Sequence, residues 1–286
     1  MSIADKFGKF EIKKTDRISQ EDQAWLVHRE ELYKRALAVY KAVYDVYKSE
    51  NESYSDEDIE NFKYSNLLIG DFGVPKHISE LQDDYISGIF SYFSNKYNVE
   101  LKNDFEKSKI YNEYYRYSKT SPIKEMVVDM IDYHVVLDKI FDQLGGLSFE
   151  EKAIKEIKDI LKSKCYNGYR DEWEIKVKGK KLTYTGGYCS ASYSDYHFSS
   201  TEWLTAMLNA LAYNTYGTKS HIYSLNKLYS SYYVSLTEDD FQTGFSAPSV
   251  GVEHIKFFKN GRVDITFQSG EFCRNFAREW CGYTLV

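Results

Sequence analysis

The sequence predicts an α+β protein, with a helical N-terminal half and a C-terminal half in which two β-hairpins pack with helices. Three observations predict it. Apolar residues recur at helical spacing as far as about Lys164. From Trp173 the pattern switches to alternation, with Trp173, Ile175 and Val177 separated by charged residues. Asn260-Gly261 sits between two strand-like runs, Glu253 to Phe258 and Arg262 to Phe267, and Asn-Gly in that setting is the strongest short-range hairpin signal. The organisation is an arm over 1–18, a helical region over 19–168 and an α+β region over 169–286.

The elements follow in order. Phe7, Phe10 and Ile12 are the only apolar anchors of the arm. Ser19 and Asp22 resemble an N-cap with an acidic first turn. The helix they open carries Trp25, Tyr33, Leu37, Tyr40, Tyr44 and Tyr47, and the spacing of the last five gives an amphipathic stripe. Residues 49–58 read as a polar acidic connector, with Ser55 able to cap a short helix, and Asp71 to Pro75 as a break. Ser79 with Gln82 forms a capping-box pattern ahead of Leu81, Tyr85, Ile89 and Phe93. Residues 104–118 read as a charged, tyrosine-rich helix. Ser121-Pro122 signals an N-cap with proline in the first turn. The helix after it holds Met126, Val127, Met130, Ile131, Val135, Leu137, Ile140, Phe141 and Leu144, and stops at Gly145-Gly146. Ser148 and Glu151 open the next, to about Lys164.

In the C-terminal half Gly179 marks a turn, and Leu182 to Tyr184 return as the second strand of a hairpin. Ser199 and Glu202 cap a helix with Trp203, Leu204, Met207, Leu208 and Leu211. Residues 235–249 read as a loop. A two-residue Asn260-Gly261 turn, both residues at positive φ, closes the second hairpin, and a helix from about Ser269 to Trp280 follows.

Tyrosine is the compositional outlier. The chain holds 27 Tyr, 17 Phe and 4 Trp against 3 Pro and 4 Met. Many sit in polar runs: Tyr111, Tyr114, Tyr115 and Tyr117; Tyr184, Tyr188, Tyr193 and Tyr196, with Phe198; and Tyr229, Tyr232 and Tyr233. A large apolar ring with a polar tip suits surfaces that are wet alone and buried in a complex. The first two runs are therefore the candidate partner-binding residues; a leucine-poor core filled by tyrosine is the competing explanation.

The net charge of −6 and pI of about 5.6 argue against general affinity for nucleic acid. No specific nucleic acid is expected as a partner. The N-terminus lacks the apolar core of a signal peptide, and no stretch approaches the roughly 20 apolar residues of a membrane span. Cys165, Cys189, Cys273 and Cys281 read as reduced thiols in a cytoplasmic protein, with Cys273 and Cys281 open to contact across a symmetric interface. No phosphate-binding glycine loop, nucleophile elbow or zinc-ligand spacing is present, so no catalytic residue, metal or cofactor is expected. His28, His77, His134, His197, His221 and His254 are scattered, and His134 reads as a core or boundary histidine. The best enzymatic hint is Glu174-Ile175-Lys176. Acid and lysine would share one strand face, as in metal-dependent nucleases, provided a second carboxylate stood near. Lys178, Lys180 and Lys181 with Tyr184 form a small basic, aromatic hairpin tip, the feature a DNA-binding regulator would use.

The stretch from Val252 to Phe267, with its Lys259-Asn260-Gly261 turn and following helix, resembles the end of a family of uncharacterised phage and plasmid proteins. The upstream piece Trp173 to Tyr184 resembles that family's preceding hairpin, and the likeness covers residues 150–286. It implies a mobile-element origin and carries no catalytic residues. In length, composition and layout the chain also resembles phage inhibitors of the Gabija defence system. That resemblance implies an oligomeric protein that binds a host nuclease-type immune complex in the cytoplasm of an infected bacterium.

Overall fold

Ser19 starts the first helix through a reciprocal pair of bonds: the Asp22 amide donates to Ser19 Oγ (3.1 Å) and the Ser19 amide donates to Asp22 Oδ2 (3.0 Å). This is a capping box with aspartate in the usual place of glutamate. The computed structural model describes residues 17–53, 74–105, 130–193 and 195–284. The fold is α+β, in two compact units, Met1–Ser148 and Phe149–Val286.

The N-terminal unit packs three described helices, α1 (Gln20–Ser53), α2 (Val74–Tyr97) and α3 (Tyr133–Leu144). On α1 the stripe is real: Tyr33, Leu37 and Tyr44 are buried, Tyr40 and Trp25 half-buried, and Leu26 extends it two turns before Tyr33. The helix overruns the expected connector to Ser53, because Ser49 to Ser53 contain neither proline nor glycine to stop it. Helix α2 corrects a second expectation. It begins at Val74, with Pro75 in its first turn, where the missing amide is harmless. Ser79 and Gln82 are interior helical residues, both buried, and cap nothing. Asn98 ends the helix in the left-handed region at φ 53°.

Helix α3 also starts later than the apolar run through Met130 and Ile131 suggests. Met130, Ile131 and Asp132 are non-helical, and Asp132 is the N-cap, accepting from the His134 amide at 2.7 Å. Val136, Leu137, Ile140, Phe141 and Leu144 form the buried face, while Val135 and His134 are exposed. His134 is thus a surface residue lying against the Tyr133 ring, 4.0 Å between centroids. Asp104 and Phe105 are not helical either. The arm, the Ser55 cap, the remainder of the expected helix over 104–118, and the Ser121-Pro122 cap with Met126 and Val127 lie outside the described residues.

The C-terminal unit opens with α4 (Phe149–Cys165), which has Glu150 and Glu151 in its first turn and Lys162 and Lys164 in its last, matching the helix dipole at both ends. A short ladder, β1 (Tyr166–Asn167) with β2 (Glu172–Trp173), leads to the predicted hairpin, β3 (Ile175–Lys178) and β4 (Lys181–Tyr184), turned at Gly179 with φ 60°. Next come β5 (Cys189–Ala191), β6 (Tyr196–Phe198) and α5 (Thr201–Tyr216), whose N-cap is Ser200 rather than Ser199. The expected loop over 235–249 is instead built from β7 (Val234–Leu236), α6 (Glu238–Thr243), β8 (Phe245–Ala247) and a 3-10 turn at Pro248–Val250. A Thr237–Asp240 capping box starts α6. The chain continues as β9 (Val252–Phe257), β10 (Val263–Phe267) and α7 (Gly270–Cys281), with Ser269 as its N-cap.

The five-stranded antiparallel sheet has the order β3-β4-β10-β9-β8, and β5-β6-β7 form a separate antiparallel sheet. In the five-stranded sheet Ile175, Tyr184, Val263 and Phe257 make one cross-strand row. Val177, Leu182, Ile265 and Ile255 make the next row on that face. Helix α7 packs on β3, β4 and β10, and α4 lies between α5 and α7. Lys158 of α4 sits over the Trp280 ring at 5.1 Å, and the Cys165 and Cys281 thiols hydrogen-bond in the core.

The Asn260-Gly261 turn is a hairpin, but a wider one than expected. The Phe258 amide donates to Arg262 O and the Gly261 amide to Phe258 O, both at 2.9 Å, so the loop has three residues and only Gly261 takes positive φ, 84°. Its position is fixed from outside. A Cβ on Gly187 would lie 2.1 Å from Gly261 O, and a Cβ on Gly261 2.2 Å from Gly187 O. Two backbones touch there, and no side chain fits between them.

Candidate partner-binding surface

Strand alternation sorts the second tyrosine run into two faces. On the three-stranded sheet the register aligns Cys189, Phe198 and Val234 in one row, and Ala191, Tyr196 and Leu236 in another. Both rows face inward. Phe198 is fully buried, edge-on to Phe257 at 5.2 Å, and Tyr196 meets Phe241 edge-on at 5.1 Å. The Tyr196 hydroxyl donates to Glu238 at 2.9 Å, and Lys259 stands 4.5 Å over the Tyr196 ring. Glu238 titrates below the usual carboxylate range because Lys259 and Tyr196 both bond it.

The outer face carries Ser190, His197 and Ser235 in one row. Ser235 Oγ donates to Asp195 at 2.7 Å. The ladder continues one step, since the Ser199 amide donates to Tyr188 O. Period two then places Tyr188 beside this row. Tyr188 is 65% exposed and Tyr193 fully exposed at the tip of the β5–β6 hairpin. Tyr233 stacks on His197 at 3.9 Å, and Tyr232, also exposed, meets Tyr233 edge-on at 5.8 Å. Tyr188 and Tyr233 thus share the face of His197, Tyr232 lies against Tyr233, and Tyr193 is exposed at the hairpin tip. Near it, Tyr216, His221, Ile222 and Tyr223 line an open depression of about 490 Å³.

The structure redistributes the expected partner-binding residues. Tyr188 and Tyr193 stay on the surface. Tyr184 and Phe198 are core residues. The Tyr184 ring stacks on Trp203 at 3.8 Å with planes within 7°, and burial pushes its hydroxyl pKa up. Tyr196 is half-buried and engaged. Tyr111, Tyr114, Tyr115 and Tyr117 lie outside the described residues. The sequence signal for Tyr232 and Tyr233 was their polar run; what it lacked was the pairing of β7 with β6, which brings Tyr233 to the same face as Tyr188.

Other candidate chemistry resolves as follows. The open face of the five-stranded sheet holds Glu174, Lys176 and Asp264, but Asp264 is two strands from β3, about 10 Å. It already accepts from Thr183 (2.9 Å) and pairs with Lys181 (3.4 Å) and Arg262 (3.5 Å). Glu174 is tied to Asn167 and Thr185. The two carboxylates do not converge as the nuclease geometry requires. At the hairpin tip Lys180 pairs with Glu253 at 2.5 Å, and Tyr184 points into the core, so the basic-aromatic tip is dismantled. All four cysteines are free thiols; Cys165, Cys273 and Cys281 are fully buried, which removes Cys273 and Cys281 from any surface contact. Burial pushes the Cys273 thiol up to about 11. Among the described residues no cluster of three His, Cys, Asp or Glu able to hold a metal is found, and no helix is long and apolar enough to cross a membrane.

In the N-terminal unit the most developed polar site is Asp22, fully buried at the start of α1. It accepts from Ser19 Oγ (2.6 Å), Tyr92 (2.9 Å), Tyr97 (2.5 Å) and Lys96 (2.7 Å). Burial alone would raise its pKa, but bonds from Lys96, Ser19, Tyr97 and Tyr92 together hold it well below the usual range. Burial and the bond to Asp22 push Tyr97 up to about 12. Every lone pair of this carboxylate is committed to the fold, so it is a structural site. No protein family, curated protein or solved structure matches the chain.

Proposed function

We propose that this chain is a binding protein that acts by protein–protein contact, through the outer face of the three-stranded sheet. The observation that carries the reading is the pair Tyr188 and Tyr233, exposed on the face that holds His197, with Tyr232 against Tyr233 and Tyr193 exposed at the hairpin tip. Large rigid rings with few rotatable bonds lose little entropy on docking and dominate binding energy at interfaces. The biological setting we propose is a phage-encoded inhibitor that binds a bacterial nuclease-type immune complex as an oligomer. Support for that setting is the resemblance of residues 150–286 to phage and plasmid proteins.

The test is a pull-down from bacterial lysates containing defence complexes, light scattering on the purified chain, and phage plating on defended cells. The expected result is a retrieved complex and restored plating. Alanine at Tyr188, Tyr193 or Tyr233 should each weaken binding by about 1–2 kcal/mol or more, with the fold intact. A monomer that retrieves nothing and leaves plating unchanged ends the reading.

A further inference from the structure

A second surface is independent of the tyrosines. Strand alternation puts Lys176, Thr183, Asp264 and Lys256 in one cross-strand row on the open face of the five-stranded sheet. Lys178, Lys181, Thr266 and His254 make the next row. Arg262 continues the same face of β10, lying 3.6 Å over the Phe258 ring. Five cations, Lys176, Lys178, Lys181, Lys256 and Arg262, therefore share a face with Glu174 and Asp264. The four strands involved span about 14 Å, and same-face residues repeat about every 6.8 Å along each strand. Lys181 and Arg262 lean on Asp264. Lys176, Lys178 and Lys256 form no ion pair among the described residues. On a chain of net charge −6 this is a local reversal of sign.

We propose that this face docks an acidic segment of a protein partner. Three features favour that occupant over a nucleic acid. A long polyanion leaving a patch about 14 Å wide would run onto the surface of a chain whose net charge repels it, whereas a compact acidic segment stays within the patch. Asp264 at the centre repels a continuous line of phosphates, while Thr183 and Thr266 beside it suit mixed polar side chains. Among the described residues the face also lacks free aromatic platforms for bases, because Phe258 is covered by Arg262 and the His254 ring is bonded to Thr243 O. Lysines on an open sheet also discourage edge-to-edge aggregation. That role predicts no measurable affinity for acidic peptides, so the two explanations separate.

The experiment measures fluorescence anisotropy of a labelled oligo-glutamate peptide, with single-stranded and duplex oligonucleotides of matched charge, at low salt and at about 150 mM salt. The proteins are wild type, the triple variant K176E/K178E/K256E, and a control K102E/K139E/K155E with the same net charge. Circular dichroism melts confirm that both variants fold; five of the six lysines are exposed and Lys256 is half-buried. The expected result is peptide binding weakened at least about tenfold in the sheet variant and changed far less in the control, with weaker oligonucleotide binding. Equal loss in both variants, or no peptide binding by wild type, overturns the proposal. Tighter oligonucleotide binding that vanishes in the sheet variant overturns it in favour of nucleic acid. Self-association abolished only by the sheet variant overturns it in favour of a second copy of this chain.

Discussion

The two units solve the same problem with different cores. The N-terminal unit buries polar groups along with its apolar ones: Asp22, Ser79 and Gln82, and the stacked pair Tyr33 and Tyr85, rings 4.3 Å apart, whose hydroxyls find no partner among the described residues. In the C-terminal unit the core is mainly Leu, Ile, Val, Ala, Phe and Trp, joined by Tyr184 and three cysteines, with Thr201 and Asp264 the buried Thr and Asp among the described residues. A core laced with hydrogen bonds is specific but sensitive to protonation; one built from packing is sensitive to volume. The same residue type serves both. Tyr85 and Tyr184 are structural, Tyr188 and Tyr233 are surface, and composition alone does not separate them.

The largest effect should come from the packed core. Trp203→Ala removes a buried ring stacked on Tyr184 and should destabilise the C-terminal unit by about 3–5 kcal/mol, read by denaturant melts and by hydrogen exchange confined to residues 149–286. Equal loss of protection in α1 to α3 would break the contrast between the units.

Next is the polar core. Asp22→Ala leaves Lys96, Tyr92 and Tyr97 without their acceptor and should cost about 3 kcal/mol, the low end for a broken buried pair, since Lys96 can turn to water. The pH dependence has a definite sign. An unfolded aspartate titrates near about 3.9, and folded Asp22 lies well below that. Its stabilisation is complete above the unfolded value and disappears as pH falls through the window beneath it. Hydrogen exchange in α1 and α2 should therefore accelerate below about pH 4, and Asp22→Asn should flatten that dependence.

Gly261→Ala should cost more than the roughly 1–2 kcal/mol of its left-handed backbone, because a Cβ there would lie 2.2 Å from Gly187 O and one backbone must move aside. The β9–β10 amides should lose protection first. Smallest of all, alanine at Tyr188 or Tyr193 should leave the melting transition within about 0.5 kcal/mol, because both rings are largely exposed. A larger change would move them from the surface group to the structural one.

Local chemistry was legible where one interaction decides the outcome. Ser19 with Asp22, Gly179 and Ser269 all sit where their side chains or φ demand. It was misleading where a generic pattern competes with packing. Ser79-x-x-Gln82 matches a capping box, yet Pro75 had already supplied the start of the helix. The apolar run through Met130 and Ile131 suggested a continuous helix, but those residues are non-helical and Asp132 takes the cap. Residues 235–249 look like loop because β7 and β8 have three residues each, too few for alternation to register. Of the candidate surface, Tyr188 and Tyr193 were legible as polar-context tyrosines. Tyr184 and Phe198 were not separable from them without the register, since a one-residue shift exchanges the faces of a strand.

The packing of α4 against α7 has a consequence for synthesis. The first and last helices of the C-terminal unit share a core, through Cys165 beside Cys281 and Lys158 over Trp280. On the ribosome α4 emerges first, and its apolar side, with Ala153, Ile157 and Leu161, has no α7 to cover it until more than a hundred further residues are made. At roughly 5–20 residues per second that interval lasts on the order of ten seconds. The N-terminal unit, whose described helices all precede α4, is free to fold in that time. The C-terminal unit completes its core only after translation has passed Cys281, and until then it is the half of the chain that chaperones must hold.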